Sequence, residues 1–354
     1  MEIGTLIVNW YLEYKRDLPW RETKSPYLIW LSEIILQQTR IEQGLPYYLK
    51  FVAQYPDIGK LANAPAEEVL RFWQGLGYYS RARNLHHTAQ YIYKECNGEF
   101  PSDYKRLIQL KGVGPYTAAA IASIAFNQSV ALLDGNVIRL LSRLYGLTTP
   151  ADSPKGKAIL KQLACNLLNK EIPGTHNQAL MEFGSLVCTP KQPDCINCIL
   201  NHVCEAYRLN LTAGIPVKQK KVIPKVRYFN YLYIKKNDTV CWHKRYEKDI
   251  WHSLYDFPMI ETQTYMSLEQ LTDTDQWKKW FEGQSVVIKG YPEYIKHQLT
   301  HQTLHCYFYR IIADDLPAFN EINVVFIQKD KIDSIPVPRL IERYLSQIGS
   351  KDKD

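Results

Sequence analysis

Leu110-Lys111-Gly112-Val113-Gly114-Pro115-Tyr116 decides how the front of this chain folds. The stretch stands between two runs of helical periodicity, 102–110 and 116–126, so it is a turn from one helix into the next. Two glycines two apart allow close backbone approach and positive φ, which other residues resist. Pro115 suits the first helical position, where a missing N–H costs nothing. The first amides of that helix point outward unpaired and form an anion site, to which Lys111 adds charge. A phosphodiester fits such a site. A plain glycine-rich turn has the same composition, so the surrounding sequence has to decide.

Outward from the turn, helical periodicity covers 27–43, after a Ser25-Pro26 start, and then 66–74, 80–95, 137–145, 155–169 and 176–187. No strand alternation of any length interrupts residues 1–210. Residues 211–226, LTAGIPVKQKKVIPKV, mix prolines with lysines and read as a basic linker. Beyond it the period changes from helical to alternating. Tyr228, Asn230, Leu232 and Ile234 alternate with Phe229, Tyr231 and Tyr233, Lys235 to Asp238 forms a turn, and Thr239–His243 is a second strand. Further strand-like runs lie at 285–289 and 303–312, with helices near 267–282 and 338–347. The expected fold is a mostly α front part and an α+β back domain.

The bulk composition agrees with a folded chain. Hydrophobic residues make up 46% and charged residues 22% of 354, which excludes wholesale disorder, collagen and a coiled-coil rod. No apolar run approaches the roughly 18 residues of a membrane span. Glu2 and the early Tyr, Glu and Lys residues do not fit an export signal, so a cytoplasmic protein without membrane contact is expected, associated with the nucleoid if the source is bacterial. Lys and Arg total 43 against 36 Asp and Glu, a net charge of +7 that suits a polyanionic partner.

Four of the eight cysteines, Cys188, Cys195, Cys198 and Cys204, fall in one short polar segment spaced C-x6-C-x2-C-x5-C. In a reducing compartment such a cluster reads as ligation, not disulfides. Structural zinc usually takes two separated short knuckles, and only one C-x2-C occurs here. Four thiolates in a compact loop can enclose a 4Fe–4S cluster. Zinc or no metal remain alternatives, and a closed ligand set implies a structural role.

Two carboxylates stand in contrasting surroundings. Glu33 sits mid-helix beside Ile29, Trp30, Ile34 and Leu36. Apolar company raises a carboxyl pKa toward neutrality and suits a general acid, although most helical glutamates are simply exposed. Asp134 follows the apolar run 130–133 and precedes Gly135-Asn136 and a helix. It is a natural N-cap, and that position is expected to lower its pKa and keep it ionised. Two carboxylates driven apart in pKa divide acid and anion roles.

Together these segments resemble the helix-hairpin-helix DNA glycosylase superfamily, in the iron–sulfur branch shared with endonuclease III, and within it the adenine DNA glycosylases. Three features choose that group. Leu31-Ser32-Glu33-Ile34-Ile35-Leu36-Gln37-Gln38-Thr39 carries a glutamate that endonuclease III-like enzymes lack. Tyr116 stands where the bifunctional lyases have a Schiff-base lysine, which implies that strand nicking is weak or absent. The back domain has no counterpart in the lyases.

The resemblance implies a monofunctional glycosylase that removes adenine mispaired with 8-oxoguanine or guanine in double-stranded DNA, acting as a monomer with a 4Fe–4S cluster on the four clustered cysteines. It assigns residues 1–210 to the glycosylase region: a six-helix module with the hairpin at about 22–130, and an iron–sulfur module from 1–21 and 131–210. Residues 211–226 are the linker and 227–354 a Nudix-like lesion-recognition domain. Glu33 would protonate adenine N7, Asp134 would steady an oxocarbenium-like sugar, and Tyr116 and Asn136 would support them. Trp20, Arg21 and Gln178 match pocket positions. Gln37, Gln38 and Tyr78, with the hairpin Lys111, Gly112, Val113 and Gly114, match DNA-binding positions. Leu299-Thr300-His301 stands where the family has Phe-Ser-His for reading 8-oxoguanine; threonine keeps the hydroxyl and leucine replaces the aromatic ring. No glutamate-rich Nudix box follows Pro258, so no pyrophosphatase activity is expected. The rivals are a pyrimidine or mismatch glycosylase of the same superfamily and a non-catalytic iron–sulfur protein that binds damaged DNA.

Overall fold

The computed structural model describes residues 2–219, 223–246, 249–313, 319 and 322–351. Along the chain come α1 (Ile3–Tyr14), α2 (Pro26–Leu36), α3 (Ile41–Gln54), α4 (Ile58–Asn63), α5 (Ala66–Phe72), α6 (Ser80–Glu95), α7 (Tyr104–Leu107), α8 (Pro115–Phe126), α9 (Gly135–Leu144), α10 (Pro154–Leu167), α11 (Pro173–Leu186) and α12 (Glu205–Arg208). The chain forms two compact units, one of Met1–Asn63 and Asn84–Lys220, the other of Ala64–Arg83 and Lys221–Asp354.

The first unit is helical. Ser25 caps α2 by accepting from the Leu28 amide at 3.4 Å, with Pro26 at the first helical position as the sequence implies. The helix expected over 27–43 is two. Gln38 takes a left-handed φ of 56°, α2 stops at Leu36, and α3 starts at Ile41. Gly44 and Pro46 hide α3 from periodicity, yet Gly44 is a packing requirement: a Cβ there would meet Leu36 Cδ2 at 2.7 Å. The 102–110 run shrinks to the four residues of α7. Helix α11 packs on α1, α8 and α9, and α2 packs on α3 and α8. Ile7, Leu31, Ile35, Ala120, Ile121, Val137, Leu141 and Phe183 are buried between them. Gly184 lets α11 approach the start of α9, because a Cβ would lie 2.8 Å from the Asn136 carbonyl oxygen. The start of the expected linker is tied to this unit: the Ile215 carbonyl accepts from Arg143 and the Val217 carbonyl from the Ala151 amide. Residues 220–222 of that stretch lie outside the described residues.

The second unit is built on β1 (Lys225–Lys236), β2 (Thr239–Lys244), β3 (Tyr255–Asp256), β4 (Met259–Thr262), β5 (Val286–Gln298), β6 (Gln302–Ala313) and β7 (Val324–Gln328). Their order is β3-β2-β1-β6-β5, with β4 pairing β1 and β7 pairing β2. The long β1 runs parallel to β6, and the other pairings are antiparallel. β1 begins at Lys225, inside the stretch expected as linker. Alternation along β1 feeds two cores: Phe229, Tyr231 and Tyr233 face one, Leu232 and Ile234 the other. α15 (Arg339–Lys351) covers the first through Leu340, Ile341 and Tyr344. The helix expected near 267–282 is a pair, α13 (Leu268–Thr272) and α14 (Asp275–Trp280), which covers the second core through Leu271, Trp277 and Trp280. Buried charges are matched: Asp256 takes Arg245 at 2.8 Å and His243 at 3.0 Å, and Arg227 is shared by Asp249 and Glu261.

Candidate active site

The last turns of α2, the N-termini of α8 and α9 and the middle of α11 surround a cavity of about 460 Å³. Glu33, Asp134, Tyr116 and Asn136 line it, and so do Trp20, Arg21 and Gln178. The seven come from five separate parts of the sequence. A neighbouring cavity of about 480 Å³ shares Glu33, Tyr116 and Asp134 and adds Gln37, Gln38 and Gly114.

Glu33 is 7% exposed, among Ile29, Trp30 and Ile34. Burial raises its pKa to about 7, the nearby Asp134 charge adds to the rise, and the Tyr116 hydroxyl opposes it. Asp134 caps α9, accepting from the Val137 amide at 2.7 Å and from Asn136 Nδ2 at 2.6 Å. The cap forms as expected, but the pKa moves the other way. Burial raises it and outweighs the hydrogen bonds from Val137 and Asn136 and the charge of Arg139. Arg139 holds Asn136 Oδ1 at 3.0 Å, so the partner of Asp134 is itself fixed. The Tyr116 hydroxyl donates to Met181 Sδ at 3.5 Å, and burial first, then Glu33 and Asp134, push its pKa well above the ordinary tyrosine value.

Around the rest of the cavity, Gln178 Oε1 accepts from the Tyr11 hydroxyl at 3.1 Å, and Trp20 stands edge-on to Tyr48. Arg21 is taken up by Glu182, which also receives Arg16. Burial alone would raise the Glu182 pKa, but the two guanidinium groups bring it to about 2. Glu182, Arg16 and Met181 escaped sequence reasoning. The signal for Glu182 was present, since it lies between Leu180 and Phe183, the same apolar company that singled out Glu33.

The hairpin runs from α7 into α8. Gly112 needs its freedom: φ is 79°, and a Cβ would lie 2.7 Å from Asn84 Cβ. Gly114 does not share the positive φ expected of the pair; it has φ −86° and caps α8, with open space where a Cβ would stand. Lys111 is exposed, its carbonyl accepts from Thr88 at 2.8 Å, and Val113 is buried. Gln37 Nε2 donates to Thr117 Oγ1 at 3.4 Å, and Gln38 is exposed.

Cys188, Cys195, Cys198 and Cys204 line a single small cavity with Arg143, and none of the eight cysteines is in a disulfide. Arg143 Nη1 approaches Cys188 Sγ at 3.5 Å, and the Leu200 amide approaches Cys198 Sγ at 3.5 Å. Donors aimed at sulfur suit thiolates in a ligated site. Among the described residues, no group of three or more His, Cys, Asp or Glu is arranged to hold one metal ion.

In the second unit, Tyr78 has φ 49° and is 48% exposed, and its hydroxyl lies 2.8 Å from Thr300 Oγ1. Arg81 stacks over the Tyr78 and Trp73 rings. Leu299, Thr300 and His301 form the tip of the β5–β6 hairpin, closed by the Leu299 amide to the Gln302 carbonyl at 2.8 Å. Leu299 packs on the domain core, whereas Thr300 and His301 are exposed.

Comparison with known proteins fits this geometry. The profile of the HhH-GPD superfamily base excision DNA repair proteins matches residues 31–164, and the NUDIX domain profile matches residues 230–347. An adenine DNA glycosylase of Buchnera aphidicola subsp. Baizongia pistaciae is 32% identical over 97% of this chain and 95% of its own. A thermostable thymine-DNA glycosylase structure superposes with TM-score 0.54 at 28% identity, over 58% of this chain and 95% of that one. An endonuclease III bound to DNA gives TM-score 0.51 at 22% identity over 59% of this chain and 94% of its own, a likeness of fold. The chain therefore belongs to the adenine DNA glycosylases, with an endonuclease III-like helical part and a C-terminal NUDIX domain.

Proposed function

We propose that this chain hydrolyses the N-glycosidic bond of adenine mispaired with 8-oxoguanine or guanine in duplex DNA and leaves the strand uncut. The observation that carries the reading is the cavity that Glu33 and Asp134 share, with Glu33 near neutrality in pKa. A carboxyl with pKa about 7 is partly protonated at working pH and gives up its proton readily. Glu33 donates to adenine N7. The C1′–N9 bond breaks, and its electrons leave with the base. Asp134, held by Val137 and Asn136, faces the developing sugar cation as an anion. Water adds at C1′, and its proton returns to Glu33. Tyr116 has no amine with which to form a Schiff base, which is why the strand stays intact.

A duplex buries the adenine in its stack, so the base has to flip into the pocket lined by Trp20, Arg21 and Gln178. Gln37 and Gln38 contact the duplex where the base leaves it, and Tyr78 is a further DNA-binding residue. The hairpin Lys111–Gly114 takes the phosphodiester on the amides at the start of α8, where the open space at Gly114 leaves room for a backbone. Thr300 and His301 read the opposite base. Cys188, Cys195, Cys198 and Cys204 would hold a 4Fe–4S cluster, which supplies a structural tie across their loop when bound. The protein works as a monomer on cytoplasmic or nucleoid DNA.

Single-turnover base release from duplexes with A opposite 8-oxoguanine, T opposite G and an oxidised pyrimidine opposite G tests the reading. Release of adenine from the first alone is expected. Release from the second or third makes the chain a pyrimidine or mismatch glycosylase, and binding without release makes it a damage-binding protein.

A further inference from the structure

We propose that Arg81 is a positioning residue for Tyr78, one that fixes the direction in which the exposed tyrosine ring is offered to the duplex. The inference rests on the reading of Tyr78 as a DNA-binding residue and adds how its ring is held.

Tyr78 stands in the turn Gly75-Leu76-Gly77-Tyr78 between α5 and α6, and three of these four residues have left-handed φ: 93° at Gly75, 71° at Gly77 and 49° at Tyr78. Glycine takes that region freely. A Cβ makes it costly, so Tyr78 stays there only while its neighbours hold it. The holding contacts converge on one peptide group. The Gly77 carbonyl accepts from Trp73 Nε1 at 3.0 Å and from Arg81 Nη2 at 3.2 Å. That carbonyl lies in the peptide plane shared by Gly77 and Tyr78, and turning the plane changes Gly77 ψ and Tyr78 φ together. Two donors on its oxygen therefore pin the angle at which the Tyr78 side chain leaves the backbone. Arg81 Nη2 also reaches the Leu76 carbonyl at 3.5 Å, and the Arg81 amide closes the turn onto the Tyr78 carbonyl at 2.9 Å.

Arg81 acts on the ring as well. Its guanidinium carbon lies 5.1 Å from the centre of the Trp73 ring and 5.5 Å from that of Tyr78. Trp73 and Arg81 are buried, and so is the next residue, Tyr79, whose hydroxyl donates to the Val337 carbonyl at 3.0 Å. Of these four side chains only Tyr78 is exposed. Its ring rests on a cation set in a buried layer, and its exposed part is what a base can stack on.

The test is duplex binding by the full chain, with a duplex that carries a tetrahydrofuran abasic analogue opposite 8-oxoguanine as the probe. Tyr78→Ala is expected to weaken binding by about tenfold, the scale of one stacked base. Arg81→Met keeps an unbranched stem and removes the fork and the charge. It is expected to lose nearly as much when Tyr78 is present and under about twofold in the Tyr78→Ala background. Arg81→Lys keeps the cation without the planar fork and is expected to fall between, and it carries the test alone if Arg81→Met does not fold. Equal losses from the Arg81 variants with and without Tyr78, or no loss with Tyr78 present, overturn the proposal. A Tyr78→Ala variant that binds like wild type fails differently: it removes Tyr78 from the DNA interface, and the proposal with it.

Discussion

Glu33 and Asp134, contributed by the last turns of α2 and the cap of α9, line the same cavity, and the charge of Asp134 helps to raise the pKa of Glu33. Among the described residues neither carboxylate has a lysine or arginine ion pair; the cationic Arg16 and Arg21 are taken up by Glu182. The electrostatics follow from that division. An arginine paired with Glu33 would strip its proton; Arg16 and Arg21 instead give their guanidinium groups to Glu182.

Glu33→Gln should abolish adenine release while duplex binding persists, because it removes the proton donor and little volume. The loss should be on the order of a hundredfold or more in the single-turnover rate, the usual worth of a general acid. In the wild type the rate should be level below pH 7 and fall as pH rises through the Glu33 pKa of about 7. An excision rate in Glu33→Gln within a few-fold of wild type would remove Glu33 from the mechanism.

The same substitution should stabilise the fold at alkaline pH. An unfolded Glu33 ionises near 4.5, but the folded one resists until about 7. Below 4.5 both states are protonated and nothing is lost. As pH climbs from 4.5 through 7, the unfolded state sheds its proton first, so wild-type stability falls, by up to about 3 kcal/mol at 1.36 kcal/mol per unit. Glu33→Gln has no proton to lose. Denaturant melts should therefore show the variant more stable than wild type at pH 8 and equal to it at pH 4.5; equality at both would mean that the carboxyl is well solvated.

The two carboxylates were legible because each breaks a local pattern: Glu33 interrupts an apolar helix, and Asp134 stands at a helix start. The direction of the Asp134 shift was not, because the cap lies in its own helix while the burial that outweighs it comes from α2, α8 and α11 folding over it. α3 was hidden for a related reason. Gly44 and Pro46 read as breakers, whereas Gly44 is there to admit Leu36. β3, β4 and β7 are short and were set by pairing with long strands, which a single sequence does not display.

Asp134→Asn keeps an acceptor for the Val137 amide and removes the negative charge. Thermal stability should change by less than about 1 kcal/mol, the cost of a weakened cap. Base release should slow by a hundredfold or more, the scale of one preorganised electrostatic group. A stable variant with wild-type single-turnover kinetics would mean that the sugar cation needs no anion at this position.

The hydroxyls of Tyr78 and Thr300 sit 2.8 Å apart and both are exposed, so their mutual bond contributes little to the free protein. Under the proposed function, its use is to hold Tyr78 and the β5–β6 hairpin tip in register for the lesion. Tyr78→Phe and Thr300→Ala should each weaken binding to a duplex with 8-oxoguanine, and the double variant should lose less than the sum, with a coupling of about 0.5–1 kcal/mol. Additive losses in that cycle would show that the two residues act separately.

The cysteine loop is wired to Asp134 through Arg139. Its Nε donates to the Cys188 carbonyl at 2.7 Å and its Nη2 to Asn136 Oδ1 at 3.0 Å, and Asn136 in turn holds Asp134 at 2.6 Å. Anything that fixes Cys188 therefore fixes Asp134 at two removes. Anaerobically purified protein should contain about four iron and four sulfide per chain, and Cys198→Ser should lose both. That variant should also excise adenine more slowly, because a misplacement of about 1 Å at the reacting centre can cost a hundredfold. Its duplex binding through the Lys111–Gly114 hairpin should fall less, since α7 and α8 make no hydrogen bond to the loop among those described. Zinc in place of iron would overturn the cluster assignment; full excision activity in an iron-free Cys198→Ser would leave the ligands in place and break the link through Arg139.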